Sequence, residues 1–286
     1  SFVMTSERDE YNHIYKFDFA GNVTQLTKGA WDVVDVLGFD AKRKRVHFTS
    51  SKKGATQKHT SYVDLRGRVT TLDNTPGTHS DDFSNSFDYS IHQHSTANTP
   101  PVYTLRNSQG KVIRTLKDNA SLRETLAEHG AVDKEFFTFT NDAGVELNCW
   151  KMLPQDFDPA KKYPVYVAIY GGPGANTVND SWDGATFMWQ QYLAQEGYIV
   201  VSCDPRGTQF RGRAFEHSTY KELGKLETED FIDLAEHLGT WDYVDAKRIG
   251  IQGWSYGGFM TLLCMTKGAD VYNAGISVAP VTNWRY

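Results

Sequence analysis

The sequence predicts two architectures in series: C-terminal blades of a β-propeller over residues 1–125, then an incomplete α/β-hydrolase doubly wound sheet over residues 126–286. Three observations carry this expectation. A hairpin-like unit recurs at spacings of 46 and 43 residues, marked by Gly21, Gly67 and Gly110. From Pro164 onward, apolar strand-like runs alternate with helical runs, the pattern of a mostly parallel sheet covered on both faces. Near the end, the stretch RIGIQGWSYGG (248–258) sets Ser255 between a short apolar alternation and a helix-like run, with glycines two residues to either side. Strand, strained turn and helix in that order make a nucleophile elbow.

In the first part, Tyr15 to Val23, Tyr62 to Val69 and Tyr103 to Val112 each read as a strand, a polar turn ending in Gly, and a second strand. Val33–Phe39 with Val46–Thr49, and Phe83–Phe87 with Tyr89–His94, read as further strand pairs between them. About four strands per period is a propeller blade; a generic β-sandwich would not keep the spacing across three units. Two to three blades cannot close a ring of at least about four, so the segment is expected to end a larger propeller. The repeat stops near Asn119, and residues 120–130 read as a short helix or linker. Phe136–Thr140 and Leu147–Leu153 flank the turn signal Asn141-Asp142-Ala143-Gly144.

The second part then alternates. Val165–Tyr170 is an apolar strand, Ala185–Gln195 a helix, and Tyr198–Cys203 a strand. Over 228–238, Phe231, Leu234, Ala235 and Leu238 share one helical face. The elbow strand, its helix and a strand at Ala274–Ala279 follow, and the chain stops before such a sheet is expected to be complete.

Composition narrows the function classes. With 40% apolar and 13% aromatic residues in 286, the chain is that of a folded protein with room for two cores. A net charge of −5 gives no electrostatic reason to expect nucleic acid, and the basic run Lys42–Arg45 reads as a solvated turn. No run approaches the roughly 18 apolar residues of a membrane span. Cys149, Cys203 and Cys264 are odd in number and far apart, which predicts buried free thiols rather than a disulfide framework or zinc site. No signal peptide is visible, and the opening SFVMTSERDEY reads as the interior of a longer polypeptide.

Ser255 is the candidate nucleophile, and a serine hydroxyl needs a base, usually a histidine held by a carboxylate. In α/β-hydrolases the acid and then the histidine follow the serine. Here Asp270 is the only acid after Ser255, and all nine histidines precede it. His217, in a polar loop, and His237, off the apolar face of its helix and expected to be solvated, are the nearest upstream; neither is assigned the base. Tyr170, opening Tyr170-Gly171-Gly172-Pro173-Gly174 at a strand end, is placed to supply half of an oxyanion hole through its phenol or the neighbouring backbone. The backbone N–H of Tyr256 is the other donor. Arg206, in Asp204-Pro205-Arg206-Gly207, reads as a loop-anchoring salt bridge rather than a carboxylate-binding group.

GWSYGG (253–258), YGGPG (170–174), DPRG (204–207), LETED (226–230), KRIGIQG (247–253), SVAPVTNW (277–284) and SERDEYNHIY (6–15) together resemble the prolyl oligopeptidase clan of serine peptidases, within it the dipeptidyl peptidase IV branch. The resemblance spans nearly the whole chain. It implies a β-propeller capping an α/β-hydrolase, with no metal or organic cofactor, that releases N-terminal dipeptides with proline or alanine second, through an acyl-enzyme. It implies Ser255 as nucleophile, the Tyr170 hydroxyl and Tyr256 N–H as oxyanion hole, and Tyr256, Val281 and Trp284 as walls of a small apolar pocket for the proline ring. The partner is a peptide with a free N-terminus, and a homodimer of the full-length parent stays open. A periplasmic or cell-surface location is suggested by the resemblance alone.

The same resemblance puts the catalytic Asp and His beyond residue 286 and the glutamates that hold the substrate amine before Ser1. No peptidase activity is therefore expected of this chain by itself. Prolyl tripeptidyl peptidase, acylaminoacyl peptidase and oligopeptidase stand as alternatives within the clan, and a catalytically dead propeller–hydrolase used for binding stands outside it.

Overall fold

Three turns of the pattern Asp/Asn-x-x-Gly shape the first of the two compact units of the computed structural model, which describes residues 1–285. Asp18 Oδ1 accepts from the N–H groups of Ala20 and Asn22, Asp64 Oδ1 from Arg66 and Arg68, and Asn107 Oδ1 from Gln109 and Lys111, all at 2.8–3.0 Å. Gly21, Gly67 and Gly110 close the turns at φ 89°, 86° and 80°, where a side chain is disfavoured. The repeat read in the sequence is thus one hydrogen-bonded turn used three times.

Ser1–Thr125 makes up most of this unit, joined by Asn179–Trp182 and Phe210–Ala214. It holds three antiparallel meanders. The first is β1 (Phe2–Ser6), β2 (His13–Phe17) and β3 (Val23–Gln25); the second β4 (Val33–Asp40), β5 (Arg45–Ser50), β6 (His59–Asp64) and β7 (Val69–Thr71); the third β8 (Thr78–Phe83), β9 (Tyr89–Thr96), β10 (Thr99–Asn107) and β11 (Val112–Lys117). Helix α1 (Ala120–Glu128) follows. Ile14, Leu26, Trp31, Val33, Val46, Phe48 and Val63 form a small apolar cluster.

One sequence expectation is corrected. Beyond Phe83 the stretch 84–87 is a turn, not a strand: Phe87 donates its N–H to Ser84 O at 2.8 Å and sits at φ 56°. The strand is β8, which precedes it, and its inward positions are His79 and Asp81. A strand that buries polar residues shows no apolar alternation, so it was not legible as one.

The second unit is a six-stranded sheet in the order β12-β13-β15-β14-β16-β17. Its strands are β12 (Glu135–Thr140), β13 (Glu146–Met152), β14 (Tyr163–Ile169), β15 (Ile199–Cys203), β16 (Val244–Trp254) and β17 (Ala274–Val278). β13 pairs antiparallel with β12 and β15, and β15-β14-β16-β17 are parallel. The chain passes from β14 through α2 (Ala185–Gln195) to β15, runs through the short α3 (Arg213–Glu216) and α4 (Leu226–Gly239), and returns to the far side of β14 as β16. α5 (Tyr256–Lys267) then leads to β17. That reversal opens a crevice beyond the carboxyl ends of β14 and β16, the customary place for a site in such sheets.

The core packs Val165, Val167, Ile199, Val201, Ile249 and Ile251 of the sheet against Phe231, Leu234 and Leu238 of α4 and Met260 of α5. The face read on α4 is the buried one. All three cysteines are buried free thiols, as the sequence predicts. Among the described residues no helix is long and apolar enough to cross a membrane.

Candidate active site

The register of the parallel strands sets Ile169, the last residue of β14, opposite Gly253 near the end of β16. The chain leaves β16 through a sharp turn into α5, and Ser255 stands at its apex with φ 57° and ψ −114°. An L-residue with a side chain rarely adopts that conformation, and it costs on the order of 1–3 kcal/mol. The glycines around it have a steric cause. A Cβ on Gly253 would lie 2.3 Å from the carbonyl of Gly257, one on Gly257 2.5 Å from the oxygen of Ile169, and one on Gly258 2.8 Å from that of Val278. The turn is fastened from the next strand by Ser255 N–H, which donates to Val278 O at 2.9 Å. The Ser255 side chain is half-buried, at the start of a helix whose first N–H groups have no intrahelical acceptor.

Of the residues singled out in the sequence, the structure brings several together. Tyr170, just past β14, has its ring 6.2 Å from that of Tyr256. Trp284 packs at 5.7 Å from Tyr256 and 5.6 Å from Phe259, with over half its surface exposed. Val281 is half-buried in the segment between β17 and Trp284. A cleft of about 650 Å³ opens beside Trp284 and is lined also by Pro173, Gly174, His217, Tyr220 and Leu223.

Sequence reasoning did not single out Glu227. It is wholly buried in the first turn of α4. Its Oε1 accepts the Tyr256 hydroxyl at 2.5 Å and its Oε2 the N–H of Gly224 at 3.0 Å. Burial raises the Glu227 carboxyl above its ordinary value, against the bonds it accepts. Burial and the Glu227 contact push the Tyr256 phenol up in turn, so the phenol stays protonated and holds the ring in place. Apart from its place in LETED (226–230), it reads in the sequence as an acid in a helix's first turn, which usually faces water.

Arg206 behaves as expected. Its backbone N–H and Nε reach the buried Asp230 at 2.7 and 2.9 Å, and Nη2 reaches Glu229 at 3.3 Å. Asp230 also accepts from Asn141 Nδ2 at 2.6 Å. Asp204 receives Thr177 N–H, Val178 N–H and Asn176 Nδ2 at 2.7, 3.2 and 3.0 Å, which ties down the chain after Tyr170. His217 lies exposed in a 3₁₀ turn at the cleft rim. His237 departs from its expectation: it is half-buried and stacked on Phe139 at 5.4 Å rather than solvated, because β12 covers that side of α4.

Fold and elbow define the class first: an α/β-hydrolase sheet preceded by antiparallel β-meanders. Residues 1–101 match the dipeptidyl peptidase IV (DPP IV) N-terminal region and residues 185–286 match the prolyl oligopeptidase family. By these two matches the chain is similar to the prolyl oligopeptidase family. The crystal structure of Porphyromonas gingivalis dipeptidyl peptidase 4 is 40% identical, with a TM-score of 0.95 over 100% of this chain and 40% of its own. That of a putative dipeptidyl aminopeptidase IV from Bacteroides ovatus is 33% identical, with a TM-score of 0.89 over 99% of this chain and 43% of its own. Dipeptidyl peptidase 4 of Trichophyton equinum is 35% identical over 99% of this chain and 37% of its length. The chain therefore spans about two fifths of each of these relatives.

Proposed function

We propose that this chain is the central part of a serine exopeptidase that releases N-terminal dipeptides with proline or alanine in second position. Residues 1–125 are the last propeller blades in this reading, and residues 126–286 the first portion of the catalytic α/β-hydrolase domain. Ser255 Oγ attacks the carbonyl carbon of the second residue, the amide bond breaks and the rest of the peptide leaves as its amine, and water then hydrolyses the dipeptidyl acyl-enzyme. The Tyr170 hydroxyl and the Tyr256 N–H donate to the oxyanion, while Tyr256, Val281 and Trp284 enclose the proline ring. Histidine and aspartate to complete the triad are assigned to the part of the parent beyond this chain.

The observation that carries the reading is Ser255 at φ 57° between β16 and α5, in a turn only glycine neighbours permit. No packing need explains such strain at a half-exposed serine, whereas presenting a hydroxyl above the sheet's carboxyl edge does. The names of the relatives supply the dipeptidyl specificity.

The test is a panel of Gly-Pro, Ala-Ala-Pro and acetyl-Ala reporters offered to the full-length parent. Release from the dipeptide alone supports the proposal. Release from the tripeptide or the acylated reporter moves the protein to another activity of the clan, and release from none makes it a binding protein.

A further inference from the structure

The first unit holds a group of side chains for which the proposed reaction has no use. His79 on β8 and His92 on β9 are 2% and 1% exposed, and His79 Nδ1 lies 3.3 Å from His92 Nε2. The outer nitrogen of each ring is already committed. His79 Nε2 is 2.8 Å from the carbonyl oxygen of Thr75. A carbonyl only accepts, so that nitrogen carries the hydrogen. His92 Nδ1 is 2.9 Å from Asp81 Oδ2, and the other oxygen of Asp81 accepts from Ser90 Oγ at 2.8 Å. Asp81 thus acts as an accepting carboxylate, and His92 Nδ1 also carries its hydrogen. With both imidazoles neutral, the two inner nitrogens confront each other lone pair to lone pair in a buried place. Such an arrangement is repulsive unless a cation lies between them.

We propose that His79 and His92 are ligands of a buried divalent transition-metal site, with the Asp73 carboxylate as the third ligand. One ligand atom from each of these three residues lies within 4.8 Å of the others. Zinc bonds to imidazole nitrogen at about 2.0–2.1 Å, so a nitrogen separation of 3.3 Å corresponds to an angle of roughly 107° at the metal, close to tetrahedral. The outer bonds fit as well: a metal-bound histidine characteristically donates its remaining N–H to a carboxylate or a backbone carbonyl. Asp73 is oriented likewise, with Thr75 N–H at 2.9 Å and Thr75 Oγ1 at 2.6 Å on Oδ1, and Arg106 Nη2 at 2.7 Å on Oδ2. Arg106 offsets part of the carboxylate charge, and one lone pair of Oδ2 remains to bind a metal. Two imidazoles with one carboxylate select zinc or a neighbouring late transition metal over magnesium or calcium, which prefer oxygen. A metal also spares the protein the cost of burying an imidazolium. The fourth position is left for water. The role is structural: the metal fastens the loop after β7, which carries Asp73, to β8 and β9. This inference does not depend on the peptidase reading.

The test uses the full-length parent, produced in zinc-supplemented medium without a histidine tag and dialysed before elemental analysis. About one equivalent of bound zinc is expected, with X-ray absorption showing two imidazole nitrogens at about 2.0 Å. His79→Ala and His92→Ala should each reduce the bound metal to less than about a tenth. Asp81→Asn keeps every ligand but loses the outer carboxylate, and should weaken zinc binding by about 10- to 100-fold. Chelation should lower the thermal midpoint by several degrees, and added zinc should restore it. If the histidine variants fail to fold, the stoichiometry of the unaltered parent and the Asp81→Asn titration still decide. A parent that holds no metal, binds no added zinc by calorimetry and keeps its midpoint in chelator overturns the proposal, the pair then sharing a proton. Metal retained in folded His79→Ala overturns it too.

Discussion

The two units bury different kinds of polar group, and the difference bears on what each can tolerate. In the second unit the buried acids Asp204, Glu227 and Asp230 are each held by two or more donors: Asp204 braces the chain after Tyr170, Glu227 the Tyr256 ring beside Ser255, and Asp230 ties Arg206 to Asn141. The first unit also buries histidines inside its strands (His13, His47, His59, His79 and His92), which the second unit does not among the described residues, and one of them is poorly served. His47 on β5 is fully buried among Phe83, Phe87 and Tyr62, and neither ring nitrogen has a hydrogen-bond partner among the described residues. A bonded buried carboxyl positions its neighbours, whereas an unbonded buried imidazole is tolerable only while neutral.

The comparison breaks first if the elbow's crowding is not real. Gly257→Ala places a methyl 2.5 Å from Ile169 O, a backbone atom of the central strand. It should cost about 3 kcal/mol or more and lose the cooperative unfolding transition of the second unit; a Gly257→Ala variant that melts unchanged contradicts the packing described. Next comes acid sensitivity of the first unit. Burial, with a smaller push from Arg45, lowers His47 to about 4 from 6.5. The unfolded chain then binds the proton more readily, so this contribution is complete above about pH 6.5 and disappears as pH falls towards 4. It amounts to at most about 3 kcal/mol. His47→Phe should flatten that part of the stability–pH curve, read by denaturant titration across pH 4–7.

Glu227 has the opposite sign. Its folded-state pKa is raised, by burial above all, so the native state holds the proton more tightly and this contribution shrinks as pH rises above about 4.5, the unfolded value. Tyr256→Phe removes the phenol's bond and should cost about 1–3 kcal/mol, more at pH 8 than at pH 5, as the thermal midpoints will show. The smallest effect belongs to the repeated turns. Asn107→Ala removes two side-chain bonds at the surface and should cost about 1 kcal/mol, while Asn107→Asp should behave as the parent.

Most of this architecture was legible because it rests on periodicity and steric need. The turns at Gly21, Gly67 and Gly110 announced the meanders, and the apolar runs of β14, β15 and α4 announced the sheet. The elbow was visible because Gly253 and Gly257 are there for lack of space. β8 was missed because His79 and Asp81, not apolar residues, point inward. Glu227 was missed because a carboxylate on a helix's first turn looks solvent-facing unless its partner is known, and Tyr256 is 29 positions away. His237 was misplaced because the covering strand β12 comes from a distant part of the chain.

The central claim is that the strain at Ser255 presents a nucleophile, and covalent labelling of the full-length parent tests it most directly. A fluorophosphonate should modify Ser255 in a one-to-one ratio, located by peptide mass spectrometry. Ser255→Ala should abolish labelling and lower turnover of the Gly-Pro reporter by about 10⁵- to 10⁶-fold with the thermal midpoint unchanged. Full labelling or undiminished turnover in Ser255→Ala, or a parent in which Ser255 stays unmodified, would contradict the account.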